Sequence, residues 1–356
     1  MKSITELQDL NGKKVLLRVD FDVPIVDGKI QESFRIKKQK ETIDYLLKHG
    51  ARIVMMAHIK ALDSFASIVP ELQTILGHST QLVLTIEEAA SSSADFVLLD
   101  NIRKHPEEEK NDTAFAQRLA AGFDIYVNNA FAVSHRDHAS VSAIAKILPA
   151  YAGLLIQQEV NELQKAVEAP AEGKIIIMGG AKASTKVPVI KNFLSKAEAI
   201  LIGGVIANDI LLAQGKDVGA SLVDSDAKEL LQDVDLTSDK LIIPEDFVVE
   251  DTKYLDIGPQ ATEKFCQIIS TAKFIVWNGP MGMFEEERFA AATHRIAQAI
   301  SDSGALSVIG GGDTIAAVNK FGLLDKYSFV STGGGSMLAF LAGEKLPGLQ
   351  ALGYYS

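Results

Sequence analysis

KIIIMGGAKASTK, residues 174–186, begins with an apolar run, passes through a glycine pair and ends in a segment carrying Lys182 and Lys186. A run that is apolar without alternation suits a strand buried on both faces of a parallel sheet. Glycine lets the backbone approach a ligand closely and adopt positive φ, and a helix starting just beyond presents N–H groups to an anion. The pattern recurs. Strand 198–202 runs into Gly203-Gly204-Val205, strand 306–309 into Gly310-Gly311-Gly312-Asp313-Thr314, and strand 328–331 into Thr332-Gly333-Gly334-Gly335-Ser336. Strands at 240–243 and 273–277 complete a parallel sheet. There is no GxxxxGK[ST] loop and no well-placed GxGxxG fingerprint. One glycine pair is ordinarily just a turn, but four in one sheet point to a site for nucleotide phosphates.

The preceding half shows the same alternation of buried strands and helices, with strands at 14–19, 52–57, 82–86, 96–99 and 124–127 and helices at 36–47 and 112–121. A second parallel α/β sheet follows from it. AYAGLLIQQEVNELQKAVEAPAE, residues 150–172, has helical periodicity and reads as a connecting helix ended by Pro170. The chemistry of the two halves differs. Of 27 glycines, 21 lie after residue 170, whereas six of eight arginines and six of seven histidines lie before residue 140.

Ligands gather beyond the carboxyl ends of strands in open parallel sheets. In the first half those ends carry Asp20-Phe21-Asp22, His58, Arg103 and Ser134-His135-Arg136-Asp137-His138, and Arg35 opens the helix after the first strand. Arg35, Arg103, Arg136 and His58 thus form a candidate anion site, because a guanidinium donates two parallel hydrogen bonds to phosphate or carboxylate. His135 and His138 lack a third ligand at metal-binding spacing, so capping or support of neighbouring groups is the better reading. In the second half Lys182 and Lys186, four residues apart, would share a helix face and both reach a polyphosphate. Asp313 is placed to hold Mg²⁺ on that phosphate or to cap its helix. The turn Trp277-Asn278-Gly279-Pro280, followed by Glu285, offers an amide and a carboxylate for phosphate and ribose.

The 356 residues carry 47% hydrophobic and 23% charged side chains, net charge -11 and a single Cys, Cys266. That size gives two domains with ample cores. One Cys excludes an internal disulfide and fits a reducing, cytoplasmic location. The acidic balance argues against nucleic acid as a partner, and no run approaches a membrane span. An arginine-based anion site and a glycine-based nucleotide site, joined by a helix, imply transfer between two separately bound substrates. Phosphoryl transfer fits, since it needs positioning and charge neutralisation and no side-chain nucleophile.

The motifs resemble those of the phosphoglycerate kinase family along nearly the whole chain. The matches are VDFDVP at 19–24, RIKK at 35–38, LLDNIRKHPEEEKND at 98–112, VNNAFAVSHRDHAS at 127–140, GGAKASTK at 179–186, LDIGP at 255–259, WNGPMGMFE at 277–285, GGGDT at 310–314 and STGGGS at 331–336. The resemblance implies two Rossmann-like α/β domains with parallel sheets. They comprise an acid-substrate domain at 1–152, a hinge helix at 153–170, a nucleotide domain at 171–345, and a terminal segment at 346–356 returning to the first domain. It implies a monomer that interconverts 1,3-bisphosphoglycerate plus ADP and 3-phosphoglycerate plus ATP with Mg²⁺. By position, Asp20, Phe21, Asp22, Arg35, His58, Arg103 and Arg136 would bind phosphoglycerate. Arg35, Lys182 and the Gly334 region would stabilise the transferring phosphoryl. Gly179, Lys182, Lys186, Gly203, Gly204, Asn278, Glu285, Gly311, Gly312, Asp313 and Thr314 would hold the nucleotide, with Asp313 on the metal.

The departures cluster on the acid side. The family's His-Leu-Gly-Arg-Pro reads His58-Ile59-Lys60-Ala61-Leu62, the usual Asn is Asp22, the Asp of VNDAF is Asn129, and a Gly-Thr becomes Ala132-Val133. Val205 replaces a glycine on the nucleotide side. Two other readings therefore stay open: a kinase for another small carboxylate or acyl phosphate, and a nucleotide-binding protein without turnover.

Overall fold

The computed structural model describes residues 1–7 and 9–355, and the chain folds as two compact units. One comprises Met1–Val160 and the segment from Lys345 onward; the other comprises Asn161–Glu344. The boundary falls inside the helix Leu154–Glu168. Within the first unit, the Gly348 N–H donates to the Ser134 carbonyl at 2.9 Å and the Met1 ammonium to the Gly353 carbonyl at 3.0 Å. Of the terminal segment 346–356, Ser356 lies outside the described residues.

The first unit is built on an all-parallel six-stranded sheet in the order Gln81–Val83, Phe96–Leu99, Arg52–Met56, Lys14–Arg18, Ile125–Asn128, Ala150–Ala152. Its strands show why the sequence runs are apolar without alternation. Val15, Leu17, Ile53 and Met55 pack into one hydrophobic cluster, while Leu16, Val54 and Met56 pack into another on the opposite face. Helices cover both faces, and each fully buried Leu, Ile or Val contributes roughly 1.5–3 kcal/mol.

The second unit repeats the plan in the order Leu241–Ile242, Ala199–Ile202, Lys174–Met178, Phe274–Asn278, Leu306–Gly310, Phe329–Ser331, again all parallel. Strand order reverses between Lys174–Met178 and Phe274–Asn278, the position where open α/β sheets place their ligands. An antiparallel hairpin, Phe247–Glu250 with Lys253–Ile257, stands outside the sheet.

Three segments differ from the sequence reading. Ala150–Ala152, expected as the start of a helix, is an edge strand paired with Ile125–Asn128, and the helix begins only at Leu154. Three residues carry no periodicity of their own, so tertiary pairing overrides local propensity. The helix then ends at Glu168, ahead of Pro170. Arg35 is the second residue of the helix Phe34–Lys48, which follows a small hairpin, Ile25–Val26 with Lys29–Ile30, and not the first strand directly. The long hairpin at 247–257 was not legible as strands because its faces are only partly buried.

Candidate active site

The carboxyl ends of the first sheet gather cations around two aspartates. Arg35 Nη1 donates to the Asp22 carbonyl at 2.9 Å and lies 3.9 Å from Asp20 Oδ2. Asp20 is buried, and its Oδ1 accepts the Asp22 N–H at 3.1 Å. Burial, then the Arg103 charge, push the Arg136 guanidinium below its ordinary value, while Asp22, Asp20 and Glu109 oppose that shift. Arg103 Nε sits 3.2 Å from Glu109 Oε1 but outside hydrogen-bond geometry, so Nε and Nη2 of Arg103 are buried donors without a partner. A buried unpaired donor costs about 1–3 kcal/mol, which an arriving anion would recover.

Beneath this cluster lies Arg18, fully buried at the end of its strand. Its Nε donates to Ser140 Oγ at 2.9 Å, and Ser140 in turn donates through Oγ and N–H to Glu108 at 2.5 and 2.9 Å. Arg18 Nη2 lies 3.1 Å from His58 Nδ1. A guanidinium only donates, so Nδ1 must accept and the His58 proton sits on Nε2. That Nε2 has no hydrogen bond of good geometry and faces Asp22 Oδ2 at 3.4 Å. Burial keeps the His58 imidazole below its ordinary value against the pull of Asp22. His135 and His138 are both pushed down to about 4, by burial first and then by neighbouring arginines. They are neutral supports near pH 7.

Asn129 fastens the Arg35 helix to the sheet. Its Nδ2 donates to Gln39 Oε1 at 2.9 Å, and its Oδ1 accepts from Thr42 Oγ1 at 2.8 Å and from the Leu155 N–H at 3.1 Å. Asn101 likewise fastens the loop after His58: its Nδ2 donates to the Ile59 and Leu62 carbonyls and its Oδ1 accepts the Ile59 N–H.

In the second unit the site is made of backbone. Gly179 and Gly180 donate to the Asn278 and Pro280 carbonyls at 2.9 and 2.7 Å, and Gly204 donates to the Met281 carbonyl at 2.8 Å. The turns touch so closely that a Cβ on Gly204, at φ +59°, would lie 2.2 Å from the Gly180 nitrogen. Four helices start at these turns: Ala183–Phe193, Gly204–Ala213, Gly312–Lys320 and Gly334–Leu341. Their first-turn N–H groups have no partner within the helix. Gly334 and Gly311 bring two of these starts together, since a Cβ on Gly334 would lie 3.4 Å from the Gly311 Cα.

Lys182 is not on a helix face shared with Lys186. It is the N-cap of Ala183–Phe193, exposed, with φ +70°. Left-handed backbone is uncommon for a residue with a Cβ and is held here by the turn around it. Lys186 is buried and donates to the Ala181 carbonyl; burial pulls its ammonium down to about 8, with Asp313 opposing. Asp313 stands in the first turn of its helix, whose N-cap is Gly311, so it is not the cap. Asn278 Nδ2 donates to the Gly310 carbonyl at 2.7 Å, and Thr314 Oγ1 accepts the Gly279 N–H at 2.7 Å. A cavity of about 460 Å³ opens beside these turns, lined by Gly180, Gly204, Val205, Met281, Glu285 and Asp313 among others. Its outer wall is the Phe247–Tyr254 pair, stacked at 4.2 Å on the hairpin the sequence did not disclose.

A model of the phosphoglycerate kinase family matches residues 4–344. The chain belongs to that family. It is 42% identical to a phosphoglycerate kinase of Herpetosiphon aurantiacus, with 96% of each chain covered, and 40% identical to one of Moorella thermoacetica, with 97% of each covered. Among solved structures it resembles the phosphoglycerate kinase of Pyrococcus horikoshii, with TM-score 0.87 at 32% identity over 99% of this chain and 98% of that one. The phosphoglycerate kinase of Coxiella burnetii gives 0.83 at 32% identity over the same shares.

Within this phosphoglycerate kinase fold the departures read differently from one another. Asn129 is absorbed as a fully bonded fastener. Val205 lines the cavity and leaves the neighbouring turn contacts in place. Ala61 is exposed and contributes no polar group. Asp22 is drawn into contact with His58 and Lys60, so its charge does not stand alone. Arg18, Glu108 and Asn101 escaped the sequence reading because their roles rest on partners some 30 to 120 residues away.

Proposed function

We propose that this chain catalyses reversible phosphoryl transfer between 1,3-bisphosphoglycerate/ADP and 3-phosphoglycerate/ATP, as a cytoplasmic monomer. The observation that carries the reading is the buried donor set of the first unit. Arg103 Nε and Nη2 and His58 Nε2 lack hydrogen-bond partners beside Arg35 and Arg136, a cluster suited to an acid bearing both carboxylate and phosphate. Asp20 orients the set through its contact with Arg35. Phe21, fully buried, anchors the strand end that presents both aspartates.

The nucleotide reading assigns the phosphates to the helix starts at Gly312 and Gly334 and to Lys186, the adenosine to the cavity beside the Gly179–Gly180 and Gly203–Gly204 turns, and the ribose to Glu285. Asp313 fits a Mg²⁺ carried on those phosphates, since such ions take one or two carboxylates plus phosphate and water. When bound, the ion supplies charge neutralisation on the phosphate oxygens. The substrate carboxylate attacks the γ-phosphoryl in line and needs no base, being ionised at neutral pH. The reading assigns the charge on the transferring group to Arg35, Lys182 and the N–H groups of the Gly334 region. The test is a coupled steady-state assay with MgATP and 3-phosphoglycerate on the native chain, Arg35→Ala and Lys182→Ala. Turnover lost in both variants supports the reading. No turnover of the native chain, with MgATP binding intact by calorimetry, contradicts it.

A further inference from the structure

The loop after His58 is held more tightly than an exposed loop requires. Asn101 binds the N–H and carbonyl of Ile59 and the carbonyl of Leu62, fixing the backbone on both sides of Lys60. Lys60 is then gripped at both ends. Its N–H donates to Asp22 Oδ1 at 2.9 Å, while its Nζ lies 3.6 Å from Asp22 Oδ2. The same Asp22 Oδ2 meets His58 Nε2 at 3.4 Å, and Arg18 fixes that ring through its other nitrogen, Nδ1. Burial alone would raise the Asp22 carboxyl, but contacts from His58 and Lys60 outweigh it and hold the carboxyl well below the usual range. Asp22 is therefore a permanent anion.

A free lysine gives up side-chain entropy on binding, up to about 2 kcal/mol, and a lysine already steered by a carboxylate gives up less. The Lys60 side chain remains 58% exposed at its contact with Asp22, so its ammonium can still donate to a second anion. Through Asp22 it joins the acid-side cluster, since Arg35 Nη1 donates to the Asp22 carbonyl. Asp22 is the acid in contact with the ammonium, and the charges of Arg103, Asp22, Asp20 and Glu109 act on Arg136.

We infer that Lys60 is a direct contact to the phosphorylated acid, and that Asp22 is a positioning residue acting through Lys60 and not itself a ligand of that acid. The inference rests on the proposed function for the identity of the acid. It goes beyond that reading by adding a binding cation and by moving Asp22 from ligand to support.

The test is a double-mutant cycle on 3-phosphoglycerate affinity, measured by calorimetry at fixed ionic strength on the full chain. The variants are Lys60→Ala, Asp22→Asn and the pair, with thermal unfolding and MgATP binding as controls for folding. Lys60→Ala weakens binding about tenfold or more, the range for a charge-assisted hydrogen bond. Lys60→Arg restores most of it, and kcat at saturation changes less than KM. Asp22→Asn weakens binding when Lys60 is present and fails to weaken it when Lys60 is Ala. Unchanged affinity in Lys60→Ala, or tighter binding in Asp22→Asn alone, overturns the inference. Arg35→Ala, run alongside, separates the two levels: if it too leaves affinity unchanged, the acid-site reading itself has failed.

Discussion

The two units share one sheet plan, and in the proposed function they meet anions by opposite means. The first relies on buried side-chain donors: Arg18, His58 and two nitrogens of Arg103, which are partly unpaired. The second relies on backbone, with glycine turns packed against one another and helix starts facing the same edge. Side-chain sites can be retuned one residue at a time, as Asp22, Lys60 and Ala61 show. Backbone sites resist change because a single Cβ collides with the neighbouring turn.

The contrast breaks most visibly at Arg35. Arg35→Ala should lower kcat/KM by about 10²- to 10³-fold, the scale for losing one donor to a transition state, while calorimetry finds MgATP affinity unchanged. A comparable loss of MgATP binding would mean the labour is not divided. Next in size is Gly204→Ala, which forces a Cβ to within 2.2 Å of the Gly180 nitrogen at positive φ. Urea unfolding should show a loss of about 2 kcal/mol or more, accompanied by weaker MgATP binding. An unshifted midpoint would show that the turns yield.

A smaller effect concerns the acid pair beside the Lys182 turn. Asp224 Oδ2 accepts the Ala183 N–H at 2.6 Å, and the Asp224 N–H donates to Asp209 Oδ1 at 2.8 Å. Asp209 is buried, and burial pushes its carboxyl up to about 7, against the hydrogen bond from the Asp224 N–H and with the Asp224 charge adding to the shift. The folded pKa lies above the unfolded value, so the native state holds the extra proton. Stability should then fall as pH rises from about 4 to about 7. Asp209→Asn should flatten that slope and stabilise the chain by about 2 kcal/mol at pH 8, read from urea midpoints across pH. An unaltered slope would place the titration elsewhere. The smallest change is Ala61→Arg, a gain of one cation at an exposed position, expected to lower KM for 3-phosphoglycerate roughly threefold. A raised KM would mean that Lys60 already fills the place.

The strands of both sheets were legible because burial on two faces writes an apolar run into the sequence, as at 174–178 and 52–56. The glycine turns were legible for a similar reason: at Gly179 and Gly204 only a bare backbone fits. Arg103 and Arg136 could be grouped because they follow strand ends, whereas Arg35 joins them only through the hairpin that returns its helix to the first strand's end. Ala150–Ala152 could not be read, since its strand exists only through pairing with a distant neighbour. The hydrogen-bonded supports were equally hidden. Nothing local marks Arg18 as the partner of His58, Asn101 as the clamp on the Lys60 loop, or Lys182 as an N-cap in left-handed backbone.

Calorimetric titration of two ligands against two variants tests the division of labour most directly. Arg103→Ala should lose 3-phosphoglycerate binding and keep MgATP, and Lys186→Ala should do the reverse. Either substitution weakening both ligands to the same degree, or neither weakening any, would contradict the account.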